Sequence, residues 1–264
     1  MSYLNDVLLG IIEGITEFLP ISSTGHLLLA EHWLGARSDT YNIVIQAGAI
    51  LAVTLIYWQR IVGLFLNWRT PENRDYLLKL TIAFLITAVL GLVVKKLGFE
   101  LPETVTPIAL ALVLGGIWIL GAEAIAARLP DSTRITLRVA IAVGLAQIVA
   151  GIFPGTSRSG ATIFAAMLLG TSNRAAATEF AFLVGIPTMY AASGYELLKQ
   201  VKDGVGQEDW TGLGIAFVVS TVTAFVAVKW LLGFIRTHRF TFFAIYRIVF
   251  GAVLLALAQA GVVN

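Results

Sequence analysis

Glu13-Gly-Ile-Thr-Glu17-Phe-Leu-Pro20-Ile-Ser22-Ser23-Thr24-Gly-His26 puts two carboxylates, three consecutive hydroxyls and an imidazole inside an apolar stretch running from about residue 4 to residue 30. A mid-helix proline removes a backbone donor and clashes with the preceding turn, and the serines and threonine after it suit a helix start. The stretch therefore reads as helix, break, helix. Irregular backbone at membrane depth is tolerated only where protein buries it or it lines a cavity. Ionisable groups at that depth are costly unless they face protein or water, which makes them functional-site candidates.

Working outward, 58% of the 264 residues are hydrophobic and 13% charged, and the mean hydropathy is +0.85. Apolar runs near the length that spans a hydrocarbon core recur at about 42–58, 78–95, 105–126, 177–198, 211–230 and 242–262. Tyr41 with Trp58, and Trp210 with Trp230, bracket two of them as interfacial anchors do. A second broken stretch, about 138–170, is interrupted by Pro154-Gly155. The expectation is an all-α polytopic membrane protein, a single transmembrane domain over 1–264, with six transmembrane helices and two re-entrant helix-break-helix hairpins. Residues 1–20 lack a basic start and carry Asp6, Glu13 and Glu17, so they read as part of the fold and not as a cleavable signal. With no cysteine, disulfide and thiol chemistry are excluded. The basic residues are dispersed among short loops and form no nucleic-acid-binding patch.

Basic residues also orient the chain. Connections near 58–79 (Arg60, Arg69, Arg74, Lys79), 128–138 (Arg128, Arg134, Arg138) and 229–239 (Lys229, Arg236, Arg239) are rich in them, and those near 30–41, 95–104 and 199–209 are poorer. The positive-inside rule makes the first group cytoplasmic, against the minor pull of Lys95 and Lys96. The first broken element then enters from outside, the second from the cytoplasm, and both chain ends lie outside. Placing Pro20 on Pro154 sets Glu13 opposite Gln147, Ser22 opposite Thr156 and Ser23 opposite Ser157. That match predicts an inverted-topology repeat, about 1–126 and 138–262, with a site at the midplane where the breaks meet.

Glu13 and Glu17, at i and i+4, share one helical face with Cβ atoms roughly 6 Å apart. They can share a divalent cation or a proton. Such a pair ordinarily marks a solvated face, but Ile11, Ile12, Ile15, Phe18 and Leu19 leave no water to face. Of Ser22, Ser23 and Thr24, one hydroxyl suffices for an N-cap, leaving others as nucleophile or phosphate contact. His26 is the base of Ser23, a nucleophile itself, or a buried hydrogen-bonded ring; His32 and His238 read as interfacial. The second motif, Pro154-Gly155-Thr156-Ser157-Arg158-Ser159-Gly160, combines glycines, hydroxyls and a helix start into an anion cradle. Arg158 adds a planar fork suited to phosphate, or else bonds carbonyls freed by the break. Glu179 and Arg247 read as a buried structural pair, and Glu123 and Glu196 as reaching the interface.

Together these motifs, Glu13-x-x-x-Glu17, Pro20-x-Ser22-Ser23-x-x-His26 and Pro154-Gly155-x-Ser157-Arg158-Ser159-Gly160-x-Thr162, resemble the bacterial undecaprenyl-diphosphatase family. These are integral membrane phosphatases that recycle the polyprenyl carrier lipid of cell-wall synthesis. The resemblance covers essentially the whole chain and every motif position. It implies six spanning helices with two re-entrant hairpins in an inverted repeat, a homodimer, a bacterial inner-membrane location and undecaprenyl diphosphate as substrate.

Hydrolysis of a lipid diphosphate requires charge neutralisation, a positioned nucleophile and a protonated leaving phosphate. Arg158 and the 155–160 amides would hold the anion, with Ser157, Ser159, Thr156, Ser22 and Thr24 contacting phosphate, Thr162 supporting the helix and Gln147 complementing the glutamates. Glu13 and Glu17 would hold Mg²⁺ or Ca²⁺, or one would act as general acid or base. Ser23 activated by His26 or a glutamate is the first choice of nucleophile, His26 the second and metal-activated water the third. The rival of another class is a transporter that carries an anionic lipid across without cleaving it, since inverted repeats with broken helices are transporter architecture. A purely structural subunit leaves Arg158 and Glu17 unexplained.

Overall fold

The computed structural model describes residues 3–97, 104–203 and 209–263. Much of the connections at 95–104 and 199–209, read above as poor in basic charge, lies outside the described residues. Among those described there are eleven helices and no strand. The first break separates α1 (Tyr3–Thr16) from α2 (Ser23–Leu34), and the second separates α7 (Leu137–Ile152) from α8 (Arg158–Leu168). Six helices are long and apolar enough to cross a membrane: α3 (Asp39–Ile56), α5 (Pro71–Lys96), α6 (Val105–Ala126), α9 (Arg174–Asp203), α10 (Trp210–Phe234) and α11 (Thr241–Gln259). They match the six expected runs, making this a multi-pass helical membrane protein. The expected 78–95 and 177–198 are extended by polar first turns, because Glu72, Arg74 and Asp75 depress hydropathy without opposing a helix that starts on Pro71. The short α4 (Trp58–Leu66) lies in what read as a plain connection.

The helices approach closely through small residues, as packing in lipid requires. A Cβ at Gly116 of α6 would lie 2.7 Å from the Ala244 carbonyl of α11, and one at Gly251 of α11 would lie 2.8 Å from the Ala109 carbonyl of α6. On the other side of the bundle, Gly10 and Gly14 of α1 meet α10, and Gly144 of α7 meets α5. α8 packs between α7 and α9, bringing the second break toward the first.

Two pairings differ from expectation. Glu179 and Arg247 do not meet: Glu179, near the start of α9, accepts from Arg60 Nε at 3.0 Å, whereas Arg247 lies mid-way along α11 and is fully buried. Its guanidinium donates to Gly155 O at 2.9 Å, Pro20 O at 3.4 Å, Ala111 O at 3.1 Å and Leu112 O at 3.3 Å. One side chain thus collects carbonyls from both breaks and from α6, which satisfies groups that would be expensive bare. Glu123 does not reach the interface. It is 2% exposed, is bonded twice by Arg174 (2.9 and 2.5 Å) and accepts the Phe240 N–H at 2.9 Å. Glu196 meets Lys95 in a half-exposed pair, and His32 and His238 are exposed.

Candidate active site

Both breaks turn on a serine with positive φ. Ser22, at the N-cap of α2, has φ 72° and ψ 103°; Ser157, at the N-cap of α8, has φ 69° and ψ 110°. They are the two non-glycine residues with positive φ among those described, a conformation costing of order 1 kcal/mol or more. Ser157 recovers part of that cost by accepting the Gly160 N–H at 3.3 Å. The Ser22 hydroxyl makes no capping bond, and the residue lines the cleft. At Gly155 (φ 91°) a Cβ would lie 2.6 Å from Ile108 O, so only glycine fits that turn.

Between the breaks lies a cleft of about 60 Å³ lined by Glu17, Ser22, Ser23, Thr24, Gln46, Ala150, Gly155, Ser157 and Arg158. That is room for a few waters. Ser23 Oγ donates to Glu17 Oε2 at 2.5 Å, a short charge-assisted bond. Gln46 Nε2 donates to Glu17 Oε1 at 3.4 Å. Arg158 lines the same cleft, and its guanidinium makes no hydrogen bond or ion pair with the described residues. It is therefore not the binder of freed carbonyls; Arg247 fills that role. Glu13, one turn before Glu17, is 1% exposed with Oε2 unpartnered, and lies within electrostatic reach of Glu17 and Arg158.

The remaining predicted residues fall outside the cleft. His26 does not meet Ser23. Its Nδ1 lies 2.7 Å from Ser22 O, a carbonyl that can only accept, so this nitrogen carries the proton; in the neutral ring Nε2 then accepts from Tyr246 Oη at 2.7 Å. The ring also stacks on Phe250 at 4.3 Å. Ser159 Oγ donates to Leu19 O at 3.1 Å, tying the second break to the first. Thr162 Oγ1 donates to Arg158 O at 2.8 Å, inside its own helix. Gln147 donates to Thr87 Oγ1 at 3.0 Å, and its Oε1 is buried without a partner. Thr156 closes the turn by donating its N–H to Phe153 O at 3.1 Å, and Gly160 packs near Pro20.

A family model described as Bacitracin resistance protein BacA matches residues 6–253. The chain belongs to this family. It is 72% identical over 264 residues, all of both chains, to the undecaprenyl-diphosphatase of Rhizobium etli (strain CIAT 652). It is 61% identical over 250 residues, 94% of each chain, to that of Xanthomonas oryzae pv. oryzae (strain PXO99A).

For this BacA-family chain, three neighbours of the motifs were not singled out as site residues by sequence. Gln46 carried a signal, as a polar residue in the apolar run 42–58. Arg247 carried the same signal and was assigned the wrong partner. Tyr246 carried none, because tyrosine is ordinary in a span. A divalent cation is compatible with Glu13 and Glu17, which offer one orphaned carboxylate oxygen and an adjacent carboxylate. No group of three or more acidic, histidine or cysteine side chains able to hold a metal occurs among the described residues. The remaining oxygens would have to come from substrate, as is usual for Mg²⁺ on phosphates.

Proposed function

We propose that this chain hydrolyses undecaprenyl diphosphate to undecaprenyl phosphate and orthophosphate, the activity its relatives are named for. The observation that carries the mechanism is the Arg158 guanidinium, uncommitted in a cleft that also presents a serine bonded to a carboxylate. An unpaired arginine at that depth has a high cost that an anionic ligand repays.

Arg158, the Ser157 hydroxyl and the backbone of the second break bind the terminal phosphoryl group, neutralising its oxygens and aligning phosphorus with Ser23. Ser23 Oγ attacks that phosphorus while its proton passes to Glu17. The bond to the bridging oxygen breaks, and undecaprenyl phosphate leaves with the electron pair and takes the proton from Glu17, which restores the carboxylate. Water then gives a proton to Glu17 as it attacks the phosphoserine; the bond from phosphorus to Ser23 Oγ breaks, Glu17 returns the proton to Oγ, and orthophosphate is released. Glu13 and Glu17 would hold Mg²⁺ or Ca²⁺, which when bound supplies further charge neutralisation on the diphosphate. His26 orients the Ser22 backbone through Nδ1, and Gln46 orients Glu17.

The reading extends to two re-entrant hairpins in an inverted repeat within a single domain. Exchanged packing supports it: Gly10 of α1 sits on Ala216 O and Val219 of α10, and Gly144 of α7 sits on Ala83 O and Ile86 of α5. Gly116 sits on Ala244 O and Ile248, and Gly251 on Ala109 O and Val113. The like positive-φ backbones of Ser22 and Ser157 support pairing these two residues, one residue from the register suggested by the prolines. Residence in the bacterial cytoplasmic membrane, with the basic connections inside, and a homodimer complete the reading; crosslinking in native membranes tests the dimer.

Phosphate release from undecaprenyl diphosphate by detergent-purified protein tests the function. We expect release that falls with EDTA and is abolished in Arg158→Ala with its fold intact. No release by folded wild type supplied with Mg²⁺ or Ca²⁺ would leave the anionic-lipid transporter as the better account.

A further inference from the structure

Gln147 of α7 is a buried amide, 4% exposed, whose orientation its neighbours dictate. Its Nε2 donates to Thr87 Oγ1 of α5 at 3.0 Å and to Thr188 Oγ1 of α9 at 3.4 Å. Each of those hydroxyls has one proton and has already committed it. Thr87 donates to the Ala83 and Gly144 carbonyls at 3.0 and 3.1 Å, and Thr188 to the Val184 carbonyl at 2.8 Å. Toward Gln147 both hydroxyls can only accept, so the amide cannot be turned the other way round. Its oxygen is therefore kept as the free end, buried and without a partner, which is expensive for an acceptor that nothing satisfies.

Gln147 lines a gap of about 10 Å³, room for about one water. Glu17 and Arg158 line the same gap, and both also line the cleft. The polar groups around the gap are unbalanced. Ser159 Oγ donates to Leu19 O at 3.1 Å and Thr162 Oγ1 to Arg158 O at 2.8 Å, so neither has a proton to give. The Glu17 carboxylate and Gln147 Oε1 are acceptors. Arg158 is the side chain among them with N–H groups left to donate. The rest of the wall is apolar and includes Phe18, Phe182 and Met189.

We propose that this gap holds a single water that accepts from the Arg158 guanidinium and donates to Gln147 Oε1 and to the Glu17 carboxylate, which makes Gln147 a positioning residue for both. The proposal rests on the phosphatase reading above. Three hydrogen bonds are the usual complement of a buried water, and these three join the residue that clamps the anion to the residue that takes the proton of Ser23. Hydroxyls of α5 and α9 hold the amide, so the water has a fixed anchor. The neutral charge at this position matters as well. A carboxylate there would pair with Arg158 and neutralise the charge that phosphate needs; an amide aims the guanidinium and leaves its charge for the substrate. Gln147 does not line the cleft, so it acts through Arg158 and Glu17 and not on the substrate itself.

Two variants of the full-length protein in detergent separate this role from packing. Gln147→Leu keeps most of the side-chain volume and removes the oxygen, whereas Gln147→Ala removes both and leaves space that further water can fill. We expect kcat/KM for undecaprenyl diphosphate to fall roughly tenfold to a hundredfold in Gln147→Leu, the range for a lost positioning partner. The fall should be smaller in Gln147→Ala, where water substitutes for the missing oxygen. Melting temperatures should rank the other way, with Gln147→Ala the lower, because it leaves the larger cavity. Activity that instead follows stability, with Gln147→Ala the worse in both, would show that Gln147 only packs and overturns the proposal. A crystal structure of the wild type that resolves ordered water gives a readout independent of turnover. Density in the gap within hydrogen-bond distance of Arg158, Gln147 and Glu17 is expected; a dry gap, or a guanidinium bonded directly to Gln147 Oε1, overturns the link while leaving the phosphatase intact. If folded wild type hydrolyses nothing, the phosphatase reading and the positioning role fall together, and the same density still decides the water.

Discussion

Ser23 has two neighbours in sequence able to take its proton, and geometry separates them. The hydroxyl is bonded to Glu17 at 2.5 Å, and both His26 nitrogens are committed, one to Ser22 O and one to Tyr246. Ser23→Ala and Glu17→Gln are therefore expected to lower kcat by roughly 10²–10⁴-fold, the range for losing a nucleophile's base. His26→Ala should cost less, and Tyr246→Phe should share that loss, because the ring acts by holding the Ser22 backbone. Steady-state phosphate release measures all four. If His26→Ala were as inactive as Ser23→Ala with Tyr246→Phe unaffected, His26 would be the base. The i, i+3 spacing of Ser23 and His26 made both partnerships readable in the sequence. What decided between them is Tyr246, 220 residues away, which no local pattern announces.

At the scale of elements, the breaks are held by their backbone and by Arg247. Ser22 and Ser157 share a positive φ, but only Ser157 makes a capping bond. Ser22→Gly should relieve strain and raise the melting temperature in detergent by an amount equivalent to about 1 kcal/mol or less. Ser157→Gly gains the same relief but loses a cap of about 1 kcal/mol, for no net change. Equal shifts would mean that capping at Ser157 contributes nothing. Arg247→Met leaves carbonyls of Pro20, Gly155, Ala111 and Leu112 without that donor, at about 1–3 kcal/mol for each left bare. It should unfold at much lower temperature than wild type, with Arg247→Lys in between; an unchanged melting point would show that water replaces the guanidinium. The breaks themselves were legible from Pro20, Pro154 and the hydroxyls after them, and the six spans from hydropathy. The clamp was not, because carbonyl acceptors belong to every residue and leave no mark in a sequence. The extra helix α4 was missed for a related reason: nine residues, Trp58 to Leu66, are too short to span and sit between two expected spans, so they read as a connection, and the buried Leu64 is what seats them against the bundle.

For the whole molecule, an inverted repeat makes a claim that a list of spans does not: equivalent crossings should respond alike. Gly116 and Gly251 lie in the same interface of α6 and α11, each facing the other helix's carbonyl at a separation no Cβ tolerates, 2.7 and 2.8 Å. Gly116→Val and Gly251→Val should each force the helices apart and cost about 1–3 kcal/mol, the range for overpacking. Because either substitution already opens the crossing, the double variant should cost less than the sum. Gly10→Val at α1 and α10 and Gly144→Val at α7 and α5 form a second matched pair, each in an interface of its own. Combined with Gly116→Val, either should add in full, since the sites share no neighbours. Thermal unfolding of the single and double variants in detergent measures every term. Additivity between Gly116→Val and Gly251→Val, or a large inequality within either pair, would mean that the halves pack independently and that their likeness stops at the two serines. Subadditivity within a crossing, with additivity between crossings, is what two interleaved halves sharing one site between their breaks require.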